Sequence, residues 1–383
     1  MNDAIAMTPA PLEVFGQRNV GRRFSVARVA LVASALGLLA GCGDAPRSTA
    51  GAGPIGTEAR PDGAAAPDRV TLLLNWFPEA EHGGYYAALV EGIYERHGLD
   101  VTILPGGPES PVAQRVARGD VTFGVSNADN VLFNRAQEAA VVALMAPLQT
   151  SPRCIMTHRA ANIRSFDDLR DMTLAMSNSL AFSFYLRAKA PLEHVRIVPY
   201  AGSVAPFLRD PKLAQQGYVF SEPYVARRQG GDPAVLMLAD LGFNPYTSVL
   251  VANENTIRSK PDLARRMVAA SVEGWRRYLV NPAPTNGRLH AANPQMDLDV
   301  LEHGARAIVP LALGREGAGG EFAVDRPDVA PQERPPSETE LAALGRMALD
   351  RWRTLVEQLV ECGQLKPGEV DPTKAFTTEF LPK

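Results

Sequence analysis

The sequence has little cysteine, no basic excess and no long apolar run, and each shortage excludes a class of protein. Three cysteines in 383 residues cannot build a disulfide scaffold, and Cys42, Cys154 and Cys362 lack the spacing of a metal-ligand set. The chain carries 39 Lys and Arg against 42 Asp and Glu, a formal charge of -3. No basic stretch stands out, so nucleic acid is not an expected partner. After residue 68 no segment is long and apolar enough to span a bilayer. A Gly-x-Ser-x-Gly elbow, a Walker loop and a His-Glu-x-x-His zinc motif are all missing. His82, His158, His194 and His303 show no metal-ligand spacing and are read as surface or capping residues. Neither a metal nor an organic cofactor is expected.

What is present begins at the N-terminus. Arg18, Arg22, Arg23 and Arg28 lead into an apolar run at 29–40, which is twelve residues long. That is too short for a spanning helix and suits a signal-peptide core. It ends in Leu39-Ala40-Gly41-Cys42, small residues followed by a cysteine, as at a bacterial lipoprotein cleavage site. Residues 1–42 are therefore expected to be a lipoprotein signal peptide ending at a lipidated Cys42; an ordinary signal peptide is the alternative. The Arg22-Arg23 pair hints at twin-arginine export, but Phe24 follows directly, and general secretory export is expected. Each buried methylene of an acyl chain contributes about 0.8 kcal/mol, so two or three chains anchor stably. Residues 43–68, rich in Gly, Ala, Pro, Ser and Thr, read as a flexible tether with a reach of roughly 25–30 Å. The expected location is the periplasm, with membrane contact through the lipid only.

From residue 69 strand and helix signals alternate. Strands are predicted at 69–75, 99–104, 121–125 and 140–148, and helices at 83–96, 111–118 and 127–137. A second set places strands at 173–176, 195–199, 218–220 and 235–238 with a helix at 181–189. A strand at 247–252 then leads into helices at 260–279, 297–308 and 337–361, with a Gly- and Pro-rich loop at 314–336. The pattern predicts an α/β body with more than one sheet. Two lobes joined by two crossings fit it: 69–157 with 246–383, and 158–245. Such lobes would close on a ligand about hinge strands.

Several phrases carry a family resemblance. They are Leu73-Leu74-Asn75-Trp76-Phe77-Pro78, Tyr85-Tyr86-Ala87-Ala88, His97-Gly98-Leu99-Asp100-Val101 and Gly119-Asp120-Val121-Thr122-Phe123-Gly124-Val125. Ser165-Phe166-Asp167-Asp168-Leu169, Ser221-Glu222-Pro223-Tyr224 and Gly242-Phe243-Asn244-Pro245-Tyr246 follow in order. Together they resemble the solute-binding family of pyrimidine (thiamine-precursor), riboflavin and sulfonate binding proteins, which also includes yeast-type thiamine pyrimidine synthase. The resemblance runs from about residue 69 to the C-terminus. It implies a two-lobed periplasmic-binding-protein fold (type II), a ligand cleft between the lobes, a monomer, and an ABC permease and ATPase as partners.

Asn75 and Trp76 stand at the carboxyl end of the first strand, where open α/β sheets place ligands. An indole can stack on a flat heterocycle and an amide can donate to and accept from its edge; a Trp packing its own lobe is the alternative. Ser126 and Asn127 follow the third strand, and Ser177, Asn178 and Ser179 form the equivalent loop of the other lobe. Both sets can cap a helix and present its start to the cleft. Glu222, at a helix start marked by Pro223, is an acceptor-only carboxylate that suits a ring with N–H donors. In the family an acid at the matching position faces the ligand; a carboxylate that only favours the helix dipole is the alternative. Tyr224 and Tyr246 serve as aromatic walls or as hinge or core residues, and both readings stay open.

Compared with the synthase, the lysine that holds its cofactor falls on Ser126 and its consumed histidine on Asn130. Its cysteine-rich iron motif falls near 242–247, where there is no cysteine. The chain is therefore expected not to be an enzyme, and a sensor lipoprotein without transport is a further alternative. A pyrimidine thiamine precursor is the expected ligand, with riboflavin as an alternative. Sulfonates and nitrate are less suited because they would meet Glu222. In a bacterial host the protein should incorporate labelled palmitate and sediment with membranes, and Cys42→Ser should lose both properties. Label retained by the variant would exclude the anchor.

Overall fold

The computed structural model describes residues 66–108, 110–323 and 334–383. Cys42, the expected signal peptide and nearly all of the expected tether lie outside the described residues. Runs of apolar residues set the strands β1 (Asp68–Leu73), β2 (Leu99–Leu104), β3 (Phe123–Ser126), β4 (Val141–Met145) and β5 (Arg153–His158). After them come β6 (Thr173–Ala175), β7 (Arg196–Val198), β8 (Leu213–Tyr218), β9 (Pro233–Met237) and β10 (Val249–Asn253). β3, β4, β9 and β10 are buried along their whole length, as strands covered on both faces must be.

Two sheets result, ordered β2-β1-β3-β10-β4 and β7-β6-β8-β5-β9. β1 runs parallel to β2 and β3, and β6 parallel to β7 and β8. β10 is antiparallel to β3 and β4, and β5 antiparallel to β8 and β9. The antiparallel strand in each sheet is the one that arrives directly from the other sheet. The boundary expected at 157/158 falls at the end of β5, which pairs with the second sheet from Arg153 onward. The first crossing therefore precedes Arg153.

Three further differences from the sequence expectation have local causes. β5 was not expected because its buried centre, Cys154 to Thr157, is short and bounded by Arg153 and His158. β8 begins at Leu213 rather than 218, since Gln215 and Gln216 hide its apolar pattern; Gln216 Oε1 accepts the Ser177 N–H at 2.7 Å. The helix predicted over 337–361 is two helices, Glu338–Ala342 and Leu349–Glu361. Gly345 between them takes a left-handed φ of +86°, and its carbonyl accepts the Ala146 N–H at 3.0 Å.

The helix Gly83–Val90 lies against the long helix Pro261–Val280. A Cβ at Gly84 would overlap the buried Trp275 ring, and one at Gly274 would overlap the Gly84 carbonyl. This close approach sets the position of the 3-10 turn Ala80–His82 that follows β1.

The two crossings run side by side, joined by an antiparallel bridge between Leu148 and Thr247. Ser151 N–H donates to Asn244 Oδ1 at 2.8 Å. Arg351, on the C-terminal helix, donates to the carbonyls of Gln149 at 2.8 Å and Asn244 at 2.7 Å, one from each crossing. Its guanidinium carbon lies 3.8 Å from the Tyr246 ring centroid, and the Tyr246 hydroxyl accepts the Ala348 N–H at 2.9 Å. Tyr246 is buried here, packed at the crossings. Cys154 is buried, Cys362 is partly exposed, and both thiols are free.

Arg351→Ala leaves two carbonyls without their donors and should lower the unfolding free energy by roughly 2 kcal/mol. Arg353→Ala removes an exposed pair with Asp350 on the same helix and should cost under about 0.5 kcal/mol. Denaturant melts that give equal losses would remove the role assigned to Arg351.

Candidate functional site

β1 delivers Asn75 and Trp76 to the edge of its sheet, and the 3-10 turn then brings back Glu79, Glu81 and His82. His82 is wholly buried. Its Nδ1 accepts the Glu79 N–H at 3.3 Å, so Nε2 carries the proton and donates to Asn75 Oδ1 at 2.9 Å. Burial lowers its pKa to about 3, so the ring is neutral. His82 does cap the turn, as expected, but from the interior. Glu81, also wholly buried, accepts from the Ser248 hydroxyl at 2.8 Å and from Asn75 Nδ2 at 3.5 Å. Ser248 takes a left-handed φ of +58°. It is held there by its N–H on Asn127 Oδ1 at 3.1 Å and by the Tyr85 hydroxyl on its carbonyl at 3.0 Å. A non-glycine residue in that conformation is strained, and the strain here orients a site hydroxyl.

The second sheet faces this group with Arg153, Tyr218, Ser221 and Glu222. The Tyr218 hydroxyl reaches the Asn127 side chain, and Ser221 reaches the Glu79 carboxyl. Burial first, then the charges of Glu81 and Glu222, raise Glu79 well above the usual carboxylate range. Burial raises Glu81 to about 7, against the hydrogen bond from Ser248 and the field of Arg153. Asp129 is raised by burial and is likewise within the field of Arg153. The Arg153 guanidinium carbon lies over two rings, 4.8 Å from the Phe182 centroid and 4.2 Å from that of Tyr218. The group thus holds four carboxyl groups, Glu79, Glu81, Asp129 and Glu222, around one guanidinium.

The expected site residues divide. Asn75 and Asn127 enter this network. Ser126 is buried at the end of β3 opposite Val249. Trp76 is partly exposed, and Phe77 beside it is 45% exposed, with the ring centroids 5.6 Å apart. Glu222 is the first residue of the helix Glu222–Arg228. Its carboxylate accepts from the Tyr200 hydroxyl at 2.9 Å and the Tyr218 N–H at 2.8 Å, both within its own lobe. The Ser177 and Ser179 hydroxyls are 3.2 Å apart, and Asn178 and Ser179 are exposed. The bonds of this loop stay with β8 and the helix Ala181–Lys189.

Tyr224 stacks on His303 at 4.0 Å, which fastens its helix to the helix Leu298–Leu313. His303 is buried within that helix, which corrects its reading as a surface or capping residue. His158 stacks on Phe207, and His194 is exposed.

Sequence reasoning missed Glu79, Glu81, Asp129, Arg153, Tyr200 and Tyr218. The signal for the first two was only a pair of acids spaced by one residue shortly after the Asn75-Trp76 phrase. Arg153 carried no signal, because the strand it opens was itself hidden.

The NMT1/THI5-like family model matches residues 79–284. The riboflavin-binding protein RibY of Chloroflexus aurantiacus is 27% identical over 358 residues, 90% of this chain and 95% of that one. The formylaminopyrimidine-binding protein of Halalkalibacterium halodurans is 23% identical over 228 residues, 57% of this chain and 68% of that one. Among solved structures, the periplasmic aliphatic sulphonate binding protein SsuA of Escherichia coli superposes with a TM-score of 0.56 at 15% identity, covering 81% of this chain and 92% of that one. That likeness shows the two-lobed periplasmic-binding fold.

The Glu81 pKa lies above its unfolded value of 4.5. Its contribution to stability is therefore complete below that value and lost as pH rises to about 7, on the order of 3 kcal/mol in all. His82 works in the opposite direction below 6.5, so the wild-type profile alone does not isolate Glu81. In Glu81→Gln the His82 contribution is unchanged. The melting temperature of this variant relative to wild type should therefore rise between pH 5 and pH 8. A flat difference would show that Glu81 titrates normally.

Proposed function

The chain belongs to the NMT1/THI5-like family, and from that premise we propose that it is the extracytoplasmic solute-binding component of an ABC importer for a flat, neutral aromatic heterocycle. The observation that carries this reading is the group of four carboxyl groups and one guanidinium, which Asn75 joins directly before a partly exposed Trp76. Carboxyl groups in excess offer acceptors for ring N–H groups. Burial has already raised three of these carboxyl groups, and a site that resists its own negative charge disfavours an anionic ligand. Trp76 and Phe77 supply an aromatic rim on which a ring can stack.

Riboflavin is the first choice of ligand, because the riboflavin-binding relative is matched over 90% of this chain. A thiamine-precursor pyrimidine, suggested by the formylaminopyrimidine-binding relative, is the second. Synthase chemistry is set aside on residue identity. The serine at 126 cannot form a Schiff base with a carbonyl cofactor, and the amide of Asn130 cannot supply imidazole atoms. Export and anchoring rest on the apolar run ending at Cys42.

Trp275 and Trp352 are fully buried, so among the three tryptophans Trp76 is the one a ring ligand can stack against. Riboflavin should quench the tryptophan emission saturably, and Trp76→Leu should abolish most of the quenching and weaken binding by roughly fivefold to tenfold. Competition by a simple alkanesulfonate, or no binding of either ring ligand, would overturn the reading.

A further inference from the structure

Arg153 is the first residue of β5 and stands where the chain enters the second sheet. Its guanidinium carbon lies over the Phe182 and Tyr218 rings, contacts that use none of its N–H donors. Among the described residues that guanidinium makes no ion pair and no hydrogen bond. The neighbouring carboxylates are served by other donors. Glu222 takes the Tyr200 hydroxyl and the Tyr218 N–H, and Glu81 takes the Ser248 hydroxyl and the Asn75 amide. The fork of donors thus acts on the neighbouring carboxyl groups through its field without a direct bond to any of them. Arg153 is only partly buried, so its unused donors remain open to a ligand oxygen, which a planar guanidinium fork can hold.

We infer that Arg153 anchors a carbonyl oxygen of the ligand, and that the cleft selects heterocycles with an imide edge, in which one N–H lies between two carbonyls. A carbonyl of that edge accepts from the Arg153 fork while the N–H donates to a neighbouring carboxyl. The pyrimidinedione ring of a flavin has this edge; an aminopyrimidine without carbonyls does not. The inference rests on the reading that the cleft takes a flat heterocycle, and it narrows that class.

The test is a set of fluorescence titrations of the protein with riboflavin, N3-methylriboflavin and 4-amino-5-hydroxymethyl-2-methylpyrimidine. Wild type should bind riboflavin and lose roughly tenfold in affinity or more for the N3-methyl compound. Arg153→Met should weaken riboflavin binding by roughly 10- to 100-fold at an unchanged melting temperature. Arg153→Lys, which keeps the charge but not the planar fork, should fall between the two. Unchanged riboflavin affinity in Arg153→Met, or equal wild-type affinity for riboflavin and its N3-methyl derivative, would overturn the inference. If Arg153→Met does not fold, the wild-type comparison decides alone. Preference for the pyrimidine would sink the imide edge and leave the heterocycle reading standing, whereas binding of no ring ligand would sink both.

Discussion

A carboxyl group with no exposed surface has to be held by its neighbours, and much of this structure is arranged around the one on Glu81. Its partners come from three places far apart in the chain: Asn75 at the end of β1, Ser248 at the mouth of β10, and through Ser248 the amide of Asn127. Each is placed by something larger. Asn75 and the turn after it depend on the glycine contact between the helices Gly83–Val90 and Pro261–Val280. Ser248 depends on the paired crossings that Arg351 fastens. The polar network is thus a junction at which the first sheet, the second crossing and the C-terminal helix have to agree. Networks of this kind stabilise only when every member is satisfied.

How much of this was legible depended on the kind of signal. Unbroken apolar runs, as in β4 and β10, stood out because a strand covered on both faces has no polar alternative. β5 and β8 were obscured by polar residues, Arg153 and His158 at the ends of one and Gln215 and Gln216 inside the other. The first strand pointed to Asn75, and the structure puts that amide in the network. Glu222 was expected to present its carboxylate to a ligand, and the structure shows both its oxygens already engaged within its own lobe. Residue type and position on an element could be read from the chain. The partner of each side chain could not, because partners such as Ser248, which bonds both Glu81 and Asn127, lie more than a hundred residues away in the chain.

The electrostatics of the site suit a particular kind of selection. The neutral His82, the raised carboxyl groups and the single guanidinium form an environment in which proton positions adjust more readily than charges can be added. A neutral ring with both donors and acceptors can be matched there without bringing a counter-ion. The aromatic pair at the rim adds contact area that is indifferent to substituents. Shape and hydrogen-bond pattern, more than charge, would set the specificity of such a cleft.

The strand order also dictates a sequence of assembly. The second sheet is built from one continuous stretch of chain, Arg153 to Met237, and can complete its pairing as soon as that stretch exists. The first sheet cannot, because β10 sits between β3 and β4 and arrives only after the whole second lobe has been made. Until then β3 and β4 each present an open edge, and closing them requires contacts of long sequence separation, which form slowly. During synthesis from the N-terminus the later lobe is therefore the earlier to mature. The lobe that begins the fold stays open to chaperones and to any export machinery until its last strand is delivered.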